Sequence, residues 1–186
     1  AFLFNDGGHC RVLDLLTDTL CSEFDISSAC NKNHANAVCF GAELSSTSLV
    51  PYLYVTECKN EFRCFVEEVF PDTTNLLQTI RATRNGKPLK ALIWSIDKEN
   101  KILYCVTRSG NLQKDGYAIN TILGFKLPQV LSNKNILLTE KDAIVHFSFK
   151  FPNILQDAAI KNGLMYIATG LQQSKIGRID GTRAIQ

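Results

Sequence analysis

The stretch that decides the fold is IVHFSFKF, residues 144–151. Valine and phenylalanine occupy every second position from Val145 to Phe151, and polar residues occupy the positions between them. Because successive side chains of a β-strand point to opposite faces, this alternation predicts a strand with one apolar and one polar face.

Further strand patterns surround this stretch in the second half of the chain. Residues 87–96 and 101–108 flank the turn sequence Asp97-Lys98-Glu99-Asn100, which predicts a hairpin. Residues 117–127, 136–139 and 164–169 are three more candidate strands. Strands that follow one another through short turns predict a small antiparallel barrel. The last stretch, residues 171–186, has few β-branched residues and is predicted to be a helix.

The first part of the chain is predicted to mix helix and strand. Apolar residues between 9 and 24 have mostly helical spacing, which predicts an amphipathic helix. Residues 25–48 are polar and predict a loop. Residues 49–58 and 63–70 predict two strands around a turn, and residues 71–78 predict a connector that contains a short helical turn.

Charge and cysteine content divide the chain at residue 78. Residues 1–78 carry four basic and eleven acidic residues and six of the seven cysteines, whereas residues 79–186 carry sixteen basic and seven acidic residues. We therefore predict an acidic, cysteine-rich α+β module over 1–78 and a basic barrel with a C-terminal helix over 79–186. Overall the fold is predicted to be mainly β.

The basic part is a candidate nucleic-acid-binding module. Lysines and arginines on its predicted strands and turns alternate with aromatic residues, and single strands are held in this way by phosphate contacts and base stacking. The alternative is that the lysines solvate a surface and the aromatic rings fill a core. The residues chosen here as candidate RNA contacts are Lys87, Lys90, Trp94, Lys98, Lys101, Tyr104, Arg108 and Lys126.

A glycine pair near the C-terminus is a candidate dimer interface. Gly177 and Gly181 would lie on one face of the predicted helix, where a second helix can approach closely. Ile176 and Ile185 would supply apolar contacts at the edges. The alternative is that the two glycines end the helix.

Two enzymatic alternatives have weaker support, and we assign no catalytic residue. His146-x-Ser148 resembles half of the active site of two-histidine phosphodiesterases, but no second His-x-Ser/Thr pair exists in the chain. A Cys–His dyad at His9–Cys10, or at Cys30 with His34, lacks an accompanying glycine-rich segment.

The cysteines also suggest a structural zinc site, although we expect no other cofactor. Zinc takes four nitrogen or sulfur ligands, and a small module with a thin core would gain stability from such a site. The candidate ligands are Cys30, His34, Cys39, Cys58 and Cys64. The alternative is that these cysteines are free core residues. With or without zinc, the acidic part is also a candidate protein-interaction module, which would bind a basic partner or the basic part of the same chain.

No apolar run reaches the ~18 residues of a membrane span. The first ten residues do not have the pattern of a secretory signal, so we expect no secretion and reduced thiols.

The C-terminal 35 residues resemble the ninth non-structural protein of coronaviruses, the small RNA-binding subunit of the replicase. The shared features run in the same order, and the spacing from Gly170 to Gly181 has no gap. A weaker resemblance extends back to about residue 80. The features that carry the resemblance are Pro152, Met165-Tyr166-Ile167, Gly170-Leu171, Gln172-Gln173, Gly177, Gly181 and Gln186.

The resemblance implies a divergent nidovirus relative. It would be a non-catalytic protein with an OB-like barrel that binds single-stranded RNA with little sequence preference. It would dimerise through the Gly-x-x-x-Gly helix and contact the viral polymerase and other replicase subunits in the host cytoplasm. Gln186 fits excision from a polyprotein by a protease that cuts after Gln. The resemblance adds Lys175, Arg178 and Arg183 to the candidate RNA contacts.

Overall fold

The computed structural model describes residues 1–29, 35–48, 50–109, 117–152, 155–169 and 183–184. Within these residues the chain is mainly β, as the sequence predicts, with one short 3-10 turn at Glu140–Asp142. The first eight strands are β1 (Phe2–Phe4), β2 (His9–Asp14), β3 (Thr19–Asp25), β4 (Ala35–Leu44), β5 (Pro51–Glu57), β6 (Cys64–Val69), β7 (Thr74–Arg84) and β8 (Lys87–Pro88). The others are β9 (Ala91–Asp97), β10 (Ile102–Ser109), β11 (Tyr117–Lys126), β12 (Lys134–Thr139), β13 (Val145–Pro152), β14 (Leu155–Lys161), β15 (Leu164–Thr169) and β16 (Arg183–Ala184).

The strands form four sheets. The N-terminal sheet has the order β1-β2-β3, and the large sheet has the order β12-β7-β6-β5-β4, with β8 paired to β7. The central sheet has the order β13-β11-β10-β9, and the C-terminal sheet has the order β14-β15-β16. All pairings within them are antiparallel except that of β12 with β7, which is parallel. No closed barrel is found among the described strands.

Three apolar cores lie between these sheets. The first core joins the large and central sheets around Trp94, Leu103 and Phe125. The second joins the N-terminal and large sheets, and the third joins the central and C-terminal sheets. The large and central sheets are therefore covered on both faces, which explains why four successive residues of β6 are buried.

A buried carboxylate fixes the N-terminal sheet to the large sheet. Glu67 of β6 is 0% exposed and accepts hydrogen bonds from the backbone N–H groups of Ser27 and Ser28, each at 3.0 Å. The Thr74 hydroxyl donates to the same carboxylate. These bonds satisfy carboxyl oxygens that would otherwise be costly to bury.

The predicted helix over residues 9–24 is wrong, because this stretch forms the β2–β3 hairpin. Asp14 accepts a hydrogen bond from the backbone N–H of Leu16 at 2.8 Å, and Asp18 adopts a positive φ of 55°. The two aspartates thus form a turn where the spacing of the leucines imitated a helix.

Two other predictions for the first part are also wrong. Strand β4 occupies 35–44, within the predicted loop, and β7 begins at Thr74, within the predicted connector. The predicted module boundary after Gln78 falls inside β7. Gln78 is 1% exposed and donates from Nε2 to the carbonyl of Gln129 at 3.0 Å, so the large sheet continues through this position.

The predicted hairpins and later strands are confirmed. β5 pairs with β6, and β9 pairs with β10 around the turn at 98–101. β11, β12, β13 and β15 lie within two residues of their predicted bounds. The predicted C-terminal helix lies almost entirely outside the described residues. The two residues of this stretch that are described, Arg183 and Ala184, form strand β16 and pair with β15. The described part contains no helix long and apolar enough to cross a membrane.

Candidate nucleic-acid interface

An open groove lies between the central and C-terminal sheets, with a volume of about 160 Å³. We call it the aromatic groove. One side comes from strands β9, β10, β11 and β13 of the central sheet, and the other comes from the β14–β15 hairpin. The residues that line it are Asp97, Tyr104, Ile122, Val145, Phe147, Ile160, Gly163 and Met165.

The pleat of the central sheet places these side chains on one face. In the register, Tyr104 lies opposite Gly124, which lies opposite Val145, and Ile122 lies opposite Phe147. Residues opposite one another in adjacent strands share a face. The alternation in residues 144–151 therefore aims Phe147 at the same groove as Tyr104.

Gly124 allows the close approach that shapes the groove. A Cβ at this position would lie 2.8 Å from Cε1 of Tyr104 and 3.0 Å from Cβ of Val145. Either distance is too short for carbon atoms, so a side chain here would displace the Tyr104 ring or strand β13.

Two aromatic rings offer flat surfaces. Phe147 is 51% exposed, and its ring stacks on that of Phe149 with centroids 5.9 Å apart and an interplanar angle of 18°. Tyr104 is half-buried. Burial, and secondarily the Asp97 carboxylate, raises the pKa of Tyr104, so its hydroxyl is protonated at neutral pH.

Four exposed lysines surround the groove. Lys98 follows the lining residue Asp97, and Lys161 follows the lining residue Ile160. Lys126 of β11 lies opposite Ile102 of β10, and Ile102 is two residues before the lining residue Tyr104. Lys101 lies next to this pair, because its carbonyl accepts a hydrogen bond from the backbone N–H of Leu127 at 2.8 Å. None of the four lysines forms a salt bridge with a described residue.

Asp97 holds the turn that carries two of these lysines. Its carboxylate accepts hydrogen bonds from the backbone N–H groups of Glu99 and Asn100 at 3.1 and 3.0 Å, and from the Asn100 side chain at 2.8 Å. Burial acts to raise the pKa of Asp97, but these hydrogen bonds outweigh it and the pKa is lowered. Asp97 therefore stays ionised, and the turn carries Asp97 and Glu99 beside Lys98 and Lys101, with the hydrogen bonds fixing the backbone between the two lysines.

Of the predicted RNA contacts, Tyr104 lines the aromatic groove, Lys98 and Lys101 lie in the turn that follows the lining residue Asp97, and Lys126 lies next to this turn in the strand register. It places Lys90 beside Arg108 at the opposite end of β10, where the backbone N–H of Arg108 donates to the Lys90 carbonyl at 3.1 Å. Lys87 lies in β8 opposite Arg84.

Trp94 is a correction to the predicted contacts. Its side chain is 1% exposed in the core between the large and central sheets, and Nε1 donates to the Phe62 carbonyl at 3.4 Å. The physical reason is the pleat, since Trp94 and Tyr104 point to opposite faces of the central sheet. Trp94 is therefore a core residue, with no exposed ring face to offer to a base.

Several predicted residues lie outside the described part of the chain. They are the RNA contacts Lys175 and Arg178, the side chain of Arg183, and the dimer residues Ile176, Gly177, Gly181 and Ile185. Their roles stay predictions.

Sequence reasoning missed two residues of the groove. Phe147 belongs to the predicted alternating strand, but the sequence alone does not show that β11 is its partner on that face. Lys161 is the last residue of β14, a strand that the sequence analysis did not predict. Phe147 can be assigned to the groove only once the pairing of β13 with β11 is known, because this pairing places it opposite Ile122.

The candidate residues for enzymatic chemistry are dispersed. His146 lies 3.6 Å from a Glu140 carboxylate oxygen, and the hydroxyls of Ser148 and Thr121 are hydrogen-bonded at 2.9 Å. His9 bonds to Asp25 at 2.8 Å, whereas Cys10 is 0% exposed in the second core, where burial raises its pKa to about 11. These adjacent residues of β2 therefore point to opposite faces.

The candidate zinc ligands are only partly described, because Cys30 and His34 lie outside the described residues. Cys64 is fully buried in the first core, and Cys39 packs against the same core. Burial, followed by the Asp157 charge, raises the pKa of Cys39 to about 12, and burial also raises the pKa of Cys64. Among the residues that the structure describes, no group of three or more His, Cys, Asp or Glu could hold a metal. The zinc site stays a prediction, which metal analysis of the purified protein tests.

The burial of the thiols predicts a clear order of reactivity. At pH 8 in the folded protein, we expect a maleimide to modify the exposed Cys21 well before Cys10, Cys39, Cys64 or Cys105. Cys10, Cys64 and Cys105 are buried and Cys39 is partly buried, and burial raises the pKa of all four thiols, which lowers the fraction of reactive thiolate. Mass spectrometry of proteolytic fragments measures each site. Equal labelling of Cys64 and Cys21 in folded protein would contradict the described core.

No protein-family model matches this chain, and no curated protein matches it.

Proposed function

We propose that this protein binds single-stranded RNA at the aromatic groove, as a non-catalytic subunit of a viral replication complex. The observation that carries the RNA-binding proposal is the coincidence of exposed aromatic surface and four lysines without salt bridges to described residues. Bases stack on flat rings and phosphates pair with lysines, which requires no particular base sequence. The placement in a viral replicase, at replication complexes in the host cytoplasm, rests on the resemblance of the C-terminal part.

The same resemblance supports the remaining parts of the proposal. They are an OB-like arrangement of the strands, a C-terminal helix, a homodimer through Gly177 and Gly181, and contacts with the polymerase. Light scattering tests the dimer, which Gly177→Glu should convert to a monomer.

The lysines are tested by the salt dependence of RNA binding. We expect a fluorescein-labelled 20-nucleotide RNA to bind at low salt, with log affinity falling steeply against log salt. Lysine-to-alanine substitution at Lys98, Lys101, Lys126 and Lys161 should make this slope shallower by roughly 0.7 for each phosphate that is no longer neutralised. Fluorescence anisotropy over a salt series measures the slope.

The matched control for the lysines is Lys134→Ala, which removes an exposed lysine at the start of β12, away from the groove. Its slope should equal that of the unmodified protein. If the quadruple variant keeps the salt slope of the unmodified protein, the groove is not the RNA site. If the unmodified protein shows no RNA binding at low salt, the proposal that it binds RNA is wrong.

Base stacking is tested separately through Phe147. We expect Phe147→Ala to weaken RNA binding by about tenfold or more, since a stacked base contributes roughly 1–3 kcal/mol. The change should leave thermal stability nearly unaffected, because half of this side chain is already in solvent. Ile144→Ala is the control, since Ile144 is 54% exposed and does not line the groove. Equal affinities of the two variants would contradict stacking on Phe147.

A further inference from the structure

A larger cleft opens between the N-terminal and large sheets, with a volume of about 710 Å³. The second core fills the space between the sheets as far as Cys10 and Phe24, which lie opposite one another in β2 and β3. The next pair on that face, Val12 and Ser22, lines the cleft instead. The cleft is therefore the unfilled end of the interface between the two sheets.

The cleft is mostly apolar. Its apolar lining consists of Phe2, Val12, Val50, Val69, Phe70 and Pro71. The Ser22 hydroxyl donates to the Pro71 carbonyl at 2.6 Å and thereby satisfies two polar groups at its wall. A volume within the roughly 300–1,000 Å³ of ligand clefts is large enough for a bulky side chain with its backbone.

Exposed leucines continue this apolar surface onto the β2–β3 hairpin. Leu15 is 73% exposed, Leu16 is 97% exposed and Leu20 is 53% exposed. Adjacent exposed apolar residues of this kind are typical of protein-binding surfaces. They lie at the hairpin whose inner face, through Val12 and Cys21, forms one side of the cleft.

The rim of the cleft is acidic. Asp72 lines the cleft, and Glu68 accepts hydrogen bonds from Ser45 and from the lining residue Thr47. Asp14 at the end of β2 and Asp18 in the following turn lie further along the hairpin that forms one side of the cleft. None of these four carboxylates forms a salt bridge with a described residue. The nearby Arg11 is already paired with Glu23 at 3.2 Å.

We infer that this cleft binds a short basic segment of a partner protein that carries one bulky apolar side chain. The apolar side chain enters the cleft, and flanking lysines or arginines pair with the carboxylates of the rim. Charge complementarity selects this occupant, because unpaired carboxylates attract cations and repel the phosphates of RNA. The inference is independent of the RNA site, which lies on the other side of the large and central sheets.

A labelled peptide tests the inference on the full chain. We expect fluorescein-Arg-Lys-Phe-Lys-Arg-amide to bind in anisotropy titrations, and to slow maleimide labelling of Cys21 in the cleft wall. Replacing the phenylalanine by alanine, or both flanks by glycines, should weaken binding at least tenfold. Asp72→Lys in the protein should also weaken binding at least tenfold, because it replaces a carboxylate of the cleft by a cation that repels the peptide. The variant should fold, because the Asp72 side chain has no hydrogen bond to a described residue that the substitution would break.

The control is Glu99→Lys, which makes the same change of charge in the exposed β9–β10 turn. It should leave peptide binding within twofold of the unmodified protein. Three results would overturn the inference: no binding at 1 mM peptide, equal binding of the phenylalanine and alanine peptides, or equal losses from Asp72→Lys and Glu99→Lys. The first excludes binding of such a segment, the second excludes an apolar anchor, and the third reduces the effect to net charge.

Discussion

Replacing Trp94 by alanine should lower the free energy of unfolding by about 3–5 kcal/mol, which is the usual cost of removing a large buried aromatic ring. The indole lies in the core between the large and central sheets and is 1% exposed. The substitution also removes the hydrogen bond from Nε1 to the Phe62 carbonyl and leaves that carbonyl without this donor. Denaturant titration followed by circular dichroism measures the loss.

The matched comparison is Phe147→Ala, for which the opposite pattern is expected. Trp94→Ala should destabilise the fold and leave the RNA affinity of the folded fraction unchanged, whereas Phe147→Ala should reduce RNA affinity at nearly constant stability. Trp94→Phe keeps a ring in the core and provides a folded variant if the alanine variant does not fold. A large loss of RNA affinity in a stable Trp94→Phe protein would restore Trp94 as an RNA contact.

Replacing Arg63 by methionine should cost about 3 kcal/mol at neutral pH, because it leaves a buried carboxylate without its partner. Glu57 is 0% exposed and accepts hydrogen bonds from Nε and a terminal nitrogen of Arg63 at 2.7 and 2.8 Å. The arginine also lies over the Phe65 ring, 4.8 Å from its centroid. Chemical denaturation at pH 7 measures the loss.

The pH dependence distinguishes the buried charge from lost packing. Burial acts to raise the pKa of Glu57, but the Arg63 hydrogen bonds and charge outweigh it and hold the pKa below its ordinary value. The stabilisation from this lowered pKa is present above the unfolded-state value and is lost as the pH falls through the folded-state value. Without the Arg63 side chain, the two largest contributions that lower the pKa of Glu57 are lost, and only the backbone N–H of residue 63 and the Asn60 side chain still oppose burial. The pKa of Glu57 should therefore be higher in the variant, so protonation should relieve the variant in acid.

We therefore expect the stability difference between Arg63→Met and the unmodified protein to shrink as the pH falls below about 4. The control is Glu57→Leu with Arg63→Met, which removes both charges and should recover most of the loss at pH 7. A difference that is constant with pH, or a double variant as unstable as the single one, would contradict this assignment.

The parts of the fold that the sequence predicted are those determined by local chemistry. Alternating residues in 144–151 and turn residues at 97–100 are signals within a few positions of the chain, and both elements are present. The predicted helix over 9–24 failed because a turn built on Asp14 interrupts the leucines, and these leucines are exposed at its tip. Helical spacing carries no information about which leucines are buried.

The remaining errors concern pairings between distant segments. Strand β7 buries polar residues such as Gln78 and Thr83, so its sequence shows no simple apolar alternation, and its parallel partner β12 lies far along the chain. For the candidate site, the turn lysines and Tyr104 were found, whereas Trp94 was misassigned and Phe147 was missed. Both errors arise because sequence gives the period of a strand but not which of its two faces meets another sheet.

The parallel pairing of β12 with β7 has a consequence for how the chain folds. Arg84, at the end of β7, contacts Glu140, which is 56 residues further along the chain. Contacts between distant segments require a large loss of chain entropy before they form, so proteins rich in them fold slowly. During synthesis, β7 cannot pair with β12 until residues 134–139 have left the ribosome. Until then, the exposed edge of β7 is open to pairing with other nascent chains.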